Sequence, residues 1–411
     1  MKKLELPQVS NRHLQAFLWP LAILLGLQLV LVDSFNGAVT DDFTTVYSAL
    51  QRFLDGENVY QQIYHHTDPL YLYNPGATLL LSPLGFVTHA GIARALFIFA
   101  NFGAIIVSLA ILIRMFGFSL RNPIFPLTIT VATLTESVRN TLIFSNVNGL
   151  LLLALVSYLW CLTDERRWAR WTGGIIIGLA ILIKPQFAPL LFLPFVMHWW
   201  STIFIGIAMP LVLNVVAWPI TPGADNYRTE LIPHLRQTRD FANSSLPGLA
   251  EYFAMPSWLY YLLWIFFAGL AVISVLALLS LRKKDHLLWL VTTSGVLFCG
   301  VFFLSSLGQM YYSMLLFPMI FSVARQRSVF HIWPSWLAAT LFLLPVSWAT
   351  TWTPRGFPPL GIWLNYFAAT AGWGLLLLTT VCCSVAWHLH DRQHADSQPG
   401  SQLRAMHQKP R

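Results

Sequence analysis

Long unbroken apolar runs, many approaching twenty residues, dominate this sequence and leave few places for a water-facing surface. A helix needs about 20 apolar residues to cross a bilayer core. Only 10% of the 411 residues are charged, against 56% hydrophobic, whereas a soluble domain carries about 25% charged residues. A soluble enzyme, a disordered chain and a fibrous protein are thereby excluded. The runs are continuous rather than short and alternating, which argues against a β-barrel. The expected fold class is an all-α polytopic membrane protein.

Apolar runs lie near 14–32, 89–114, 123–143, 148–163, 172–184, 186–198, 201–218, 257–281, 287–304, 311–323, 332–350 and 361–388. They predict ten to thirteen spans, with Pro185, Pro189 and Pro194 marking broken or tilted helices. The first run follows Lys2, Lys3 and Arg12 and lacks a small-residue cleavage site, so it reads as a retained span rather than a signal peptide. With the N-terminus inside, 17 of the 25 basic residues fall on the cytoplasmic side, which supports an inner-membrane orientation. That orientation puts two long segments, about 33–88 and 219–256, on the outer face. The expected organisation is one membrane unit over 1–388 and a polar cytoplasmic tail over 389–411.

The net charge of +8 serves this orientation, so no nucleic-acid partner is expected. The cytoplasmic connections are short and basic, with no Walker A or GxGxxG motif for a nucleotide. Chemistry is therefore expected outside, with an activated substrate carried on a lipid. Cys161, Cys299, Cys382 and Cys383 lie in or beside apolar runs without metal spacing and read as core residues. His65, His66 and Asp68 lack an i,i+4 pair, and Asp41 with Asp42 do not make a cage. Neither a metal nor a cofactor is expected.

The first outer segment is the most informative. From Phe43, apolar residues recur at Val46, Tyr47, Leu50, Phe53 and Leu54, the spacing of an amphipathic helix in the interface. Gly56 ends it. Asp41 and Asp42 then stand at its N-terminus, where the helix dipole favours an anion. A carboxylate there either caps the helix or serves as a general base toward a hydroxyl. Tyr60, Tyr64, Tyr71 and Tyr73 form either an interfacial aromatic belt or a sugar platform.

Further along, Lys184 stands beside Pro185 at a break between apolar runs. An ionisable group in such a place is either functional or snorkels to the interface. Arg139 either pairs with Glu136 three residues earlier or binds phosphate. Asn146 and Asn148 either bind sugar hydroxyls or cap the next helix. Arg236 and Arg239 lie in the second outer segment and either hold the donor phosphate or the acceptor or belong to a solvated loop. Gln309, Tyr311 and Tyr312 form a late turn that either closes a site or belongs to an aromatic belt.

Asp42-Phe43…Tyr47, Gly56…Tyr60 and Tyr73-Asn74-Pro75, followed by Asn146-Val147-Asn148-Gly149 and Gly178…Lys184-Pro185, resemble glycosyltransferase family 87, of the GT-C membrane type. These blocks cover most of positions 40–190, with a weaker echo near 305–318. The resemblance implies an inverting transfer of arabinofuranose from decaprenyl-phospho-arabinofuranose to an arabinan acceptor, as an α-(1→3) branch in arabinogalactan or lipoarabinomannan. It implies Asp42 as the base, with Asp41 in reserve. Lys184, Arg239 and Arg139 are the candidates for the donor phosphate. Tyr47, Tyr73, Asn74, Asn146, Asn148, Gln309, Tyr311 and Tyr312 are the candidates for sugar contacts. Mannosyltransferases of the family often carry His-Tyr at the late turn, where this chain has Tyr311-Tyr312. That departure counts against the alternative of a mannose donor. A lipid-linked sugar flippase is the reading from another class, and it would call for internal repeats and midplane charges.

Overall fold

The structure, a computed structural model, describes residues 11–36, 42–64, 70–240, 242–344 and 358–396. Every regular element among them is helical, and no strand occurs among the described residues. The elements that position the site are α1 (Asn11–Leu27), α2 (Asp42–Leu54), α3 (Pro75–Leu81), α4 (Ala90–Met115), α5 (Ile124–Leu134), α6 (Glu136–Ile143), α7 (Asn148–Thr163), α8 (Arg167–Ile183), α9 (Trp200–Ala217), α10 (Leu246–Tyr252), α11 (Ser257–Leu278), α12 (His286–Leu304), α13 (Trp333–Leu343) and α14 (Pro358–Asp396).

Six described helices are long and apolar enough to cross a membrane: Asn11–Asp33, Ala90–Met115, Trp200–Ile220, Ser257–Leu281, His286–Leu304 and Tyr366–Gln393. Shorter apolar helices, Ile124–Leu134, Asn148–Thr163, Pro185–Met197 and Met310–Ala324, occupy further apolar runs among the described residues. The clearest break follows Lys184. Pro185 and Pro189 lie in a tight 3-10 turn over Pro185–Leu191, and a short helix, Phe192–Met197, follows it. At roughly 2.0 Å per residue in the first part and 1.5 Å in the second, the segment reaches about 23 Å, short of the ~30 Å hydrocarbon core.

Helices pack in sequence order, α4 on α7, α7 on α8 and α8 on α9, while α11, α12 and α13 gather round α14. The α8–α9 contact is made by small residues. A Cβ on Gly174 would meet Ile205, one on Gly178 would meet Met209, and one on Gly206 would meet Ile177. Close backbone approach of this kind holds helices together in lipid, where apolar burial gives no net drive. The opposite face of α9 is exposed and apolar, with Phe204, Leu211 and Val215 pointing outward, as lipid contact requires. α12 is buried on nearly every side and forms the centre of the bundle. The fold is that of a multi-pass membrane protein.

Candidate active site

Asp42 opens α2, and the helix forms where the apolar spacing predicts. Phe43, Tyr47, Ala49 and Leu50 are buried, and Gly56 follows the helix with a φ of 76°, a left-handed conformation that suits glycine. Phe43 stacks on Tyr47 with ring centroids 5.6 Å apart. The Tyr47 hydroxyl donates to the Val87 carbonyl at 2.7 Å, and Gln51 Nε2 donates to the Gly85 carbonyl at 2.7 Å. These bonds fasten α2 to the turn at 82–87 and so fix where Asp42 stands. Tyr47 therefore gives its hydroxyl to the scaffold. Asp41 lies outside the described residues, as do His65, His66 and Asp68.

The Tyr73-Asn74-Pro75 stretch brings a second wall. Asn74 caps α3, accepting from the Ala77 N–H at 2.9 Å, and its Nδ2 donates to the Leu182 carbonyl at 2.7 Å. Both ends of the Asn74 amide are thus engaged, and the second bond ties α3 to the last turn of α8, two residues before Lys184. Tyr73 and Asp42 line one cavity, together with Ser145 and Asn146. Burial, and after it the Asp42 carboxylate, raises the Tyr73 phenol well above its ordinary range. It therefore stays a neutral hydrogen-bond donor.

Lys184 is held from two sides. Its Nζ donates to Asn148 Oδ1 at 2.6 Å and lies 4.1 Å from the centroid of the Tyr312 ring. The short charge-assisted bond and the cation–π contact together fix the ammonium. Asn148 is the first residue of α7 rather than its cap. Asn146 serves the local turn instead, its Oδ1 accepting from the Asn148 N–H at 3.1 Å.

The late turn completes the cluster. The Tyr311 hydroxyl lies 3.3 Å from Asp42 Oδ2 and also within reach of Gln309 Oε1, and its single proton serves one of the two. The Asp42 charge acts on Tyr73, Tyr311, Tyr312 and Lys184, and the Arg239 charge acts on Tyr311 and Tyr312. Segments far apart in the chain therefore converge on one carboxylate, with Lys184 within its electrostatic reach and Arg239 near the same two tyrosines. Sequence spacing does not single out Asn243, yet it holds this turn. Its Nδ2 donates to the Ser306 carbonyl at 2.8 Å, and its Oδ1 accepts from the Gly308 N–H at 2.9 Å. The Ser244 N–H donates to the Gly308 carbonyl at 2.6 Å.

Arg139 takes a different place. Its guanidinium pairs with Asp33 at 2.9 Å, and Glu136 accepts from the Asn140 amide. The Glu136–Arg139 helix pair is thus replaced by two separate contacts. Asp33 anchors Arg139 because the end of the first span packs on α6, a long-range contact that helix spacing does not contain. Arg236 is exposed at the end of a short helical turn.

Three buried donors near the cluster have no hydrogen-bond partner among the described residues: Asn146 Nδ2, Asn148 Nδ2 and Arg239 Nε. Buried polar groups are nearly always satisfied, so unpaired donors here suit an oxygen-rich anionic ligand. The cavity beside Asp42 measures about 10 Å³, near the room of one water. A sugar ring enters only if lining side chains move aside. No group of three or more His, Cys, Asp or Glu suited to a metal occurs among the described residues.

The model of glycosyltransferase family 87 matches residues 71–306. Among curated proteins, an alpha-(1→3)-arabinofuranosyltransferase of Corynebacterium glutamicum is 52% identical over 376 residues, covering 92% of this chain and 88% of that protein. Proteins of the same name from Mycolicibacterium smegmatis and Mycobacterium tuberculosis are 38% and 39% identical, over 92% and 89% of this chain and 87% and 84% of their own lengths. No solved structure matches the chain.

Proposed function

The chain belongs to glycosyltransferase family 87, and from that premise we propose that it transfers arabinofuranose from decaprenyl-phospho-arabinofuranose to a hydroxyl of arabinan. The product is an α-(1→3) branch of cell-wall arabinogalactan or lipoarabinomannan. The site faces outward from the bacterial plasma membrane, residues 1–388 act as one catalytic membrane unit, and 389–411 form a cytoplasmic tail. The observation that carries this reading is the Asp42 carboxylate at a helix N-terminus, beside the Tyr311 hydroxyl and within the electrostatic reach of Lys184. The names of the relatives supply the sugar and the linkage.

The chemistry follows from what each group can do. The acceptor hydroxyl gives its proton to Asp42 while its oxygen attacks the anomeric carbon. The bond from that carbon to the phosphate oxygen breaks on the opposite face, and its electron pair leaves with the polyprenyl phosphate. Inversion follows from attack and departure on opposite faces. Phosphate is a good leaving group, so cations rather than an acid suffice. Lys184 and Arg239 supply them, and Asn148 Nδ2, which has no partner among the described residues, donates a further hydrogen bond. Tyr73, Tyr311, Tyr312, Gln309 and Asn146 contact the sugars. Tyr47, Asn74 and Arg139 act through the scaffold, since their polar groups are engaged with Val87, with Ala77 and Leu182, and with Asp33.

The test is to supply the purified protein with radiolabelled lipid-linked arabinofuranose or lipid-linked mannose and a synthetic arabinan acceptor. Arabinose incorporated in a (1→3) linkage is the expected result. Transfer of mannose alone overturns the reading.

A further inference from the structure

A second recess of about 280 Å³ opens to solvent between residues 58–63 and the turn carrying Asn226 and Glu230. We propose that this recess binds the uncharged, non-reacting stretch of the acceptor glycan, distant from the hydroxyl that reacts. The proposal rests on the glycosyltransferase reading above and assigns its acceptor a second point of contact.

The lining decides the ligand class. Four amides, Asn58, Gln61, Gln62 and Asn226, line the recess with Tyr60, Ile63 and one carboxylate, Glu230, and no lysine or arginine among the described residues lines it. A lipid phosphate needs a cation, so the donor headgroup does not suit this place. A polyhydroxylated chain does, because amides and a carboxylate offer both donors and acceptors. Two of the amides are fixed by one end only. Asn58 Oδ1 accepts from the Tyr60 N–H and Gln62 Oε1 accepts from the Tyr71 N–H. No other side-chain bond engages these two residues among the described residues, so their amino groups remain for a ligand.

The walls are set before any ligand arrives. The Val59 N–H donates to the Pro222 carbonyl at 3.0 Å, and Arg52 donates to the Val59 carbonyl at 2.8 Å. Asn58 packs so closely on Gly223 that a Cβ there would lie 1.9 Å from Asn58 Oδ1. Gly223 has a φ of 73°, so both its conformation and its contact require glycine. A preformed recess spends little affinity on ordering. One layer of side chains separates it from the site: Tyr60 lines the recess and its hydroxyl donates to the Tyr73 carbonyl at 3.0 Å, and Tyr73 lines the Asp42 cavity. A glycan seated in the recess is thereby presented near Asp42.

The test uses the full-length protein with Gln61→Ala, Asn226→Ala and Glu230→Ala combined, which spares Asn58 and Gln62 because they hold the walls. Initial rates are measured against a shortest-possible arabinoside and a long linear arabinan oligosaccharide. Binding of the long oligosaccharide without donor is measured by calorimetry. Losing one or two ligand hydrogen bonds raises KM for the long acceptor about five- to tenfold and weakens its binding to match. The kcat, the donor KM, the rates with the short acceptor and the thermal midpoint stay at wild-type values. An unchanged KM for the long acceptor overturns the proposal. An equal loss with both acceptors, or a lowered thermal midpoint with unchanged binding, assigns the recess a structural role and also overturns it. If the wild-type protein moves no arabinose to either acceptor, the functional reading itself fails, a result separable from the others.

Discussion

Asn148→Leu tests how the Lys184 ammonium is held. The side chain is fully buried, and leucine keeps its branched shape and heavy-atom count while removing the acceptor at 2.6 Å from Lys184 Nζ. A hydrogen bond to a charged group contributes about 1.5–3 kcal/mol. If that bond sets the ammonium where the departing phosphate develops charge, its loss appears in the transition state. At tenfold per ~1.36 kcal/mol, kcat/KM for the donor falls about 10- to 150-fold. Lys184→Met removes the cation itself and costs at least as much. Part of the Asn148 loss runs through Lys184, so the double variant loses less than the sum of the two single variants, and the cycle returns a coupling energy of about 1.5–3 kcal/mol for the Lys184–Asn148 bond. The assay is initial-rate transfer with the lipid-linked donor varied at saturating acceptor. Thermal unfolding in detergent serves as the control for folding. Additive losses, or an Asn148→Leu enzyme within twofold of wild type, would refute the role given to this pair.

Tyr311→Phe removes the hydroxyl within reach of Asp42 and Gln309. It is expected to lower kcat about three- to tenfold, the worth of roughly one net hydrogen bond, with the donor KM unchanged, as read by steady-state kinetics. At the other end of the molecule, Asp391 accepts two bonds from Arg327, at 3.0 and 2.9 Å, and lies 2.8 Å from Lys284. Asp391→Asn is expected to destabilise the protein by about 1–3 kcal/mol, since the bonds are charge-assisted and the acid is mostly buried. Thermal midpoints in detergent should fall while both KM values hold.

Local signals in the sequence mark the elements that local physics governs. The spacing from Phe43 to Leu54 and the glycine at 56 delimit α2, with Asp42 at its start. Tyr-Asn-Pro before an apolar run marks a capped helix, and Lys184-Pro185 marks the end of α8. Partnerships between distant residues carry no local signal. Lys184 and Asn148 are 36 positions apart, Tyr311 and Asp42 are 269 apart, and Asn243 and Gly308 are 65 apart. Only the packing of helices brings each pair together. Arg139 illustrates the limit of helix spacing: Glu136 is the local partner on offer, and the end of the first span supplies Asp33 instead. The length of individual helices is less legible, because hydropathy reports that a segment is apolar and not that Pro185 and Pro189 wind it into a tight 3-10 turn.

The most direct measurement of the central claim is turnover by Asp42→Asn, which keeps size and shape while removing the negative charge that accepts the proton. With purified protein, lipid-linked arabinofuranose and an arabinan acceptor, loss of transfer by about 100- to 10,000-fold is predicted, with donor binding and the thermal midpoint retained. Turnover near the wild-type rate would contradict the assignment of Asp42 as the base.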